Sequence, residues 1–140
     1  TGFAPFASLI RDPEIYAQYQ QVIVVHTCRM KAELDYSQLV VANTKADALV
    51  GEEASSQLFY LPTTTQEESA VMGRPTTLIS SGRATAELGF APFSVETDRV
   101  MICGSMAMNQ DMKRICEEAG FTEGSNASPG QFVVEKAFVG

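Results

Sequence analysis

The chain has 140 residues, 45% apolar and 19% charged, with 17 acidic against 10 basic side chains and a net charge of −7. That length fits a single domain over residues 1–140, and no apolar run approaches the ~18–20 residues that span a bilayer, which argues against a membrane-spanning role. The acidic balance repels phosphate backbones and argues against general nucleic-acid binding, leaving phosphate recognition to local features.

In chain order, the first signal is Gly2-Phe3-Ala4-Pro5-Phe6, whose five letters recur at Gly89-Phe90-Ala91-Pro92-Phe93. No fixed period carries the likeness further, so the two copies are not units of a repeat architecture. The first predicts a turn ending at Gly2 and a short helix with Pro5 in its first turn, where the absent N–H would have had no partner. Phe6, Leu9 and Ile10 then face the core, and the amides at such a helix start can bind a phosphate. Val22 to Cys28 is a β-branched run that predicts a parallel strand over 22–27, buried on both faces. Ala32, Tyr36, Leu39 and Val40 are spaced for one face of an amphipathic helix from Lys31 to Lys45. A strand over 57–61 follows, stopped by Pro62. The second pentapeptide leads into the polar loop at 94–98, which makes Phe90 and Phe93 hydrophobic anchors of a connection. A strand over 99–103 comes next, then a helix with Met108, Met112, Ile115, Cys116 and Ala119 on one face and Gly120 as its C-terminal cap. The last strand spans 131–136.

Strands alternating with helices predict an α/β fold with a doubly wound parallel sheet. Such a sheet normally opens with a strand that feeds the first glycine-rich turn. Here the turn comes first, from Thr1, so the first strand is expected to be missing and something upstream to have been removed. Cys28, Cys103 and Cys116 lack Cys-x-x-Cys spacing and come with one histidine, His26, which argues against a zinc site. Thiols without a disulfide pattern suit a reducing cytoplasm. His26, at a strand end, supports loop geometry.

Six stretches, "TGFAPFASLIRDPE", "VVHTCRMKAELDY", "YLPTTTQEE", "GRPTTLISSG", "ETDRVMICGSMAM" and "FVVEKAFVG", follow in the order and spacing of the bacterial ferredoxin (flavodoxin)–NADP reductases. The chain resembles that family over essentially its whole length, and most closely the subclass ending in Ala-Phe-Val. Such reductases pair an N-terminal FAD-binding β-barrel with a C-terminal, Rossmann-like NADP-binding domain. Only the second is similar to this chain, with an expected strand order of 3-2-1-4-5. The family's flavin signature, Arg-x-Tyr-Ser/Thr, is absent; Asp35-Tyr36-Ser37 has Leu34 where the arginine would stand. The resemblance implies electron transfer between NADPH and ferredoxin or flavodoxin through FAD, with FAD held mainly by the part not present. The chain alone is then expected to bind no FAD, to lack reductase activity and to self-associate.

The same resemblance implies the site residues. Thr1 and Gly2 match the turn that cradles the pyrophosphate or lies beside the nicotinamide. Arg29 and Arg74 match the arginines that recognise the 2′-phosphate of NADP, a task suited to a planar, bidentate guanidinium. Gln66 stands where many relatives carry a further arginine, which weakens the expected preference for NADP over NAD. Tyr60, Thr63, Thr64 and Thr65 match a segment lining the nucleotide, Tyr60 being equally suited to the core. Cys103 and Gly104 match residues beside the nicotinamide, Cys103 as a small buried group and not a covalent nucleophile. Ser105 matches the same turn and can cap the next helix. Ala137 and Phe138 match the C-terminal extension, the alanine near the flavin rings and the phenylalanine on the FAD adenine. Glu135 is a proton donor there or a solvated strand residue, and Met108 and Met112 are helix core. Two other readings use the same residues: an oxygenase-linked reductase of the superfamily, and a freestanding nucleotide-binding module.

Overall fold

The computed structural model describes residues 3–125 and 129–136, Glu135 and Lys136 by their backbone alone. The fold is α/β with parallel strands, and the chain divides into two compact units, Phe3–Pro75 and the residues from Thr76 onward.

In the first unit, α1 (Ala4–Ile10) starts with Pro5 in its first turn, as the sequence predicts, and buries Ala7 and Ile10. Phe3, just before it, is buried more deeply than Phe6. α2 (Pro13–Gln18) is capped by Asp12, which accepts from the Glu14 amide at 3.0 Å. Tyr16 on α2 donates its hydroxyl to the Ile10 carbonyl at the end of α1, 2.6 Å away. β1 (Val22–Cys28) then pairs in parallel with β2 (Leu58–Thr64), Val22 opposite Leu58 and Cys28 opposite Thr64. Between them lie a 3-10 turn at Lys31–Leu34, α3 (Asp35–Lys45) and α4 (Gly51–Gln57). The core joins α1, α3 and α4 to one face of the strands through Ile10, Val24, Val41, Ala54 and Leu58.

Four expectations need correcting here. The helix expected over 31–45 is a 3-10 turn followed by an α-helix. Its buried face is Leu34, Ser37, Val40, Val41 and Thr44, while Tyr36 and Leu39 are exposed and Ala32 lies outside the core. The two polar residues go inside because they are small and hydrogen-bonded: Ser37 donates to Leu34 O at 3.1 Å and Thr44 to Val40 O at 2.7 Å. Pro62 does not stop its strand but sits within it, opposite His26. β2 pairs with no second strand among the described residues, meeting only an isolated bridge from Thr64 to Met72, and a proline is tolerated on such an edge because its missing N–H has no ladder partner to lose. Finally, β1 is not buried on both faces, since Ile23 is exposed next to the buried Val24.

The second unit contains α5 (Pro75–Ser80), α6 (Arg83–Glu87), β3 (Val100–Gly104), α7 (Met106–Glu118) and β4 (Phe132–Lys136). β3 and β4 pair in parallel, Val100 opposite Phe132 and Gly104 opposite Lys136. Their core is Ile102 and Phe132 against Met112, Ile115 and Cys116 of α7, with Phe121 beyond it. Phe93 packs on this cluster, the anchor role expected for it. α7 ends at Ala119, which is exposed rather than on the core face, and Gly120 takes the positive φ of 93° expected of its cap.

Instead of one continuous sheet, the described strands form two two-stranded sheets, β1-β2 and β3-β4. These are the neighbour pairs 2-3 and 4-5 of the expected order, and no described strand pairs with the other edge of β1 or of β3.

Candidate functional site

Parallel strands deliver their following loops to one edge, which is where ligands bind in open α/β folds. At the carboxyl end of β1 the chain reaches Arg29, and at that of β2 it reaches Thr65 and Gln66. The two loops are joined by backbone: Thr65 N donates to Cys28 O, and Gln66 N and Glu67 N both donate to Arg29 O, each at 3.1 Å.

Arg74 is brought to this edge by a closed excursion. The chain leaves β2 at Thr64 and returns beside it, with Gly73 N donating to Thr64 O at 3.0 Å and Thr64 N to Val71 O at 3.3 Å. Gly73 turns the chain with a φ of 137°, a region that favours glycine. Thr64 Oγ1 lies 2.6 Å from Ser69 Oγ and also donates to Glu67 O, bracing the loop from inside. Thr63 is fully buried; its hydroxyl lies 2.6 Å from that of Thr27 and donates to Gly73 O at 3.3 Å. Of the three threonines, Thr63 and Thr64 therefore hold the loop by which Arg74 arrives, and only Thr65 is exposed.

Arg29 and Arg74 are both exposed, and neither guanidinium has a hydrogen bond or ion pair among the described residues. The ion pairs among the described residues, Arg83–Glu87, Lys113–Glu123 and Arg114–Glu118, lie elsewhere. In a chain with a net charge of −7, this sheet edge thus carries two exposed arginines that no carboxylate pairs with among the described residues.

Beneath this edge lies a polar cluster that the sequence does not announce. His26 Nδ1 is 2.8 Å from Ser37 Oγ, and the Tyr60 hydroxyl meets the same serine oxygen. The Cys28 thiol is 3.6 Å from His26 Nε2. Burial lowers the His26 pKa and raises those of Tyr60 and Cys28, so all three stay neutral near pH 7. Tyr60 thus spends its hydroxyl inside the unit. The alternation of His26 and Cys28 along a strand puts both on one face, a signal that was readable; Ser37 gave none.

In the second unit the corresponding turn follows β3. Cys103 is buried, Gly104 ends the strand, and the exposed Ser105 caps α7 by accepting from Met108 N at 3.2 Å. Asn109 donates Nδ2–H to Gly104 O at 3.2 Å, and its buried Oδ1 has no partner among the described residues. That oxygen is 3.7 Å from where a Cβ on Gly104 would stand. Thr1, Gly2, Ala137 and Phe138 lie outside the described residues, as does the side chain of Glu135.

Among known proteins, the chain is 50% identical over all 140 residues to the flavodoxin/ferredoxin–NADP reductase of Rhodobacter capsulatus, of which it covers 52%. It is 41% identical over 140 residues to ferredoxin–NADP reductase A of Sorangium cellulosum and 36% to the ferredoxin–NADP reductase of Azotobacter vinelandii, covering 50% and 54% of those chains. The chain thus spans about half the length of the curated relatives it matches. A crystal structure of a ferredoxin NADP+ reductase from Neisseria gonorrhoeae, with bound FAD and NADP, shares the fold: TM-score 0.81 over 98% of this chain and 52% of that one, at 24% identity. No family model matches the chain.

Proposed function

We propose that this chain is a member of the ferredoxin/flavodoxin–NADP reductases and that residues 1–140 are the part of such an enzyme that binds NADP(H) and presents it to FAD. Ferredoxin or flavodoxin is then the electron partner of the whole enzyme, working in the reducing compartment that three cysteines without a disulfide suit. The hydride and one-electron chemistry is supplied by the bound nicotinamide and flavin; the protein's task is to hold and orient them.

The observation that carries this reading is the pair of uncommitted guanidinium groups, Arg29 and Arg74, at the carboxyl edge of β1 and β2. They take the 2′-phosphate, for which a forked, permanently charged donor is the suited partner. Gln66 adds a hydrogen-bonding side chain without charge. Thr65, exposed between them, lines the nucleotide, whereas Tyr60 and Thr63 support that lining from within. At the other turn the Met108 methyl fills the place a Cβ on Gly104 would take, so a flat ring reaches this backbone once that flexible side chain swings aside, and the Asn109 Oδ1 behind it, unpartnered among the described residues, then suits an amide N–H such as that of a nicotinamide carboxamide. Cys103 packs behind that ring and Ser105 orders the turn. Thr1 and Gly2 at the pyrophosphate or nicotinamide, and Ala137 and Phe138 at the flavin, are proposed from the resemblance.

The test uses a protein that also carries the FAD-binding part. A charge-assisted hydrogen bond contributes ~1.5–3 kcal/mol, so Arg74→Ala should weaken NADPH by roughly ten-fold to somewhat over a hundred-fold. NADH, which lacks the 2′-phosphate, should scarcely change. Gln66→Arg should strengthen NADPH selectively. Equal losses of the two nucleotides would place Arg74 at the wrong end.

A further inference from the structure

Glu67 lies just beyond Gln66, half-buried, and touches the loop after β1 through both its backbone and its side chain. Its amide donates to Arg29 O at 3.1 Å, sharing that carbonyl with the Gln66 amide. Its carboxylate Oε2 accepts from Lys31 N at 2.6 Å, across 36 residues of sequence. Its own carbonyl is taken by the Thr64 hydroxyl, which ties it to the end of β2. The backbone leaving Arg29 is thereby held: its carbonyl oxygen has two donors, which saturate its lone pairs, and the second residue after it is fixed by a charge-assisted hydrogen bond. Met30, between them, has its amide held by Glu33 Oε1 at 3.0 Å. The Arg29 side chain is exposed and holds no partner among the described residues, so this backbone fixes the point from which the guanidinium reaches.

We propose that Glu67 is a positioning residue for 2′-phosphate recognition: by clamping the backbone immediately after Arg29, at its carbonyl and at the Lys31 amide, it presents that arginine at the same sheet edge as Arg74. The proposal rests on the reading that these two arginines take the 2′-phosphate. Glu67 itself does not touch the nucleotide. Its negative charge would oppose a phosphate, so its worth at this edge lies in the hydrogen bond to Lys31 N.

Adenosine 2′,5′-bisphosphate and adenosine 5′-monophosphate, which differ only in the 2′-phosphate, are titrated on the FAD-loaded reductase. Glu67→Ala should weaken the bisphosphate by about ten-fold, the scale of one lost charge-assisted contact, and leave the monophosphate unchanged. Glu67→Gln keeps an acceptor oxygen and removes the charge, so its ratio of the two affinities should stay at the starting value or rise. Lys31→Pro supplies the same test without altering Glu67. Met30 already has the extended backbone (φ −123°, ψ 150°) that a residue before proline requires, so the change removes the Lys31 N–H without forcing Met30 to move. Compared with Lys31→Ala, it should lose the bisphosphate as Glu67→Ala does. In an Arg29→Ala background, Glu67→Ala should have no further effect. Equal losses of both probes in Glu67→Ala, or its full effect persisting without Arg29, would overturn the proposal. If Arg29→Ala and Arg74→Ala leave the ratio of the two probes unchanged, it is the underlying placement of the 2′-phosphate that fails.

Discussion

Ser37 has one hydroxyl proton and three polar partners, Leu34 O, His26 Nδ1 and Tyr60 Oη. A carbonyl can only accept, so the serine proton goes to Leu34, and His26 Nδ1–H and the Tyr60 hydroxyl must both donate to Ser37. That fixes the neutral tautomer of His26, with Nε2 left as an acceptor; the single proton of the Cys28 thiol has two acceptors in reach, His26 Nε2 at 3.6 Å and Glu33 O at 3.7 Å. Protonating Nε2 would put a second N–H against sulfur in a half-buried place, which accords with a His26 pKa lowered from its ordinary 6.5 by burial. A group whose folded pKa is depressed contributes stability that is complete above its unfolded value. That stability is lost as the pH falls below about 6.5, through the folded value. Because the chain has a single histidine, its ring C–H proton resonances can be followed by NMR without ambiguity. Their midpoint should lie below 6.5, and His26→Asn, which keeps a donor near Nδ1 but does not titrate, should flatten the acid loss of stability. A midpoint at or above 6.5 would mean that this cluster does not form. His26 and Arg29 were legible because they end a β-branched run. Ser37 and Glu67 were not, since their roles depend on partners 11, 23 and 36 residues away.

At the scale of elements, what could be read from sequence tracks length. α7, with 13 residues, carries several turns of a repeating apolar face, and its core positions Met112, Ile115 and Cys116 were visible. α2, α4, α5 and α6 have 5 to 7 residues, fewer than two turns, and a 3.6-residue period cannot establish itself over so short a window. α3 failed differently: apolarity alone selected Tyr36 and Leu39, whereas hydrogen bonding let Ser37 and Thr44 take the inner face. Where an element boundary has its own chemistry, the sequence was explicit, as at Ser105 and Gly120 on either end of α7. Ser105→Ala removes the acceptor for Met108 N and should cost about 1 kcal/mol (~0.5–2), with Ser105→Asp retaining most of it. Chemical melts of the three proteins compare them directly. An unchanged midpoint in Ser105→Ala would show that the α7 amides find another partner, and would leave Ser105 free for the nucleotide alone.

Across the whole molecule, each sheet has two described strands, and a two-stranded sheet on its own is marginal in water. The unpaired edge of β1 is a run of β-branched residues with Ile23 exposed, and no described strand covers it. β3 presents a second such edge over Val100–Gly104. Edges of this kind offer unsatisfied N–H and C=O groups in register and template pairing with another chain. The net charge of −7 works against that pairing, because two copies repel. The repulsion acts between exposed charges and is screened as the Debye length falls from ~10 Å at 0.1 M salt to ~3 Å at 1 M, while the hydrogen-bonding edge is little affected. The 140-residue chain by itself should therefore associate, and more strongly as salt is raised, the reverse of association driven by opposite charges. Sedimentation velocity across a range of protein and salt concentrations measures both effects. A monomer at every condition, with one sharp cooperative melt, would show that the edges of β1 and β3 are satisfied within the chain itself.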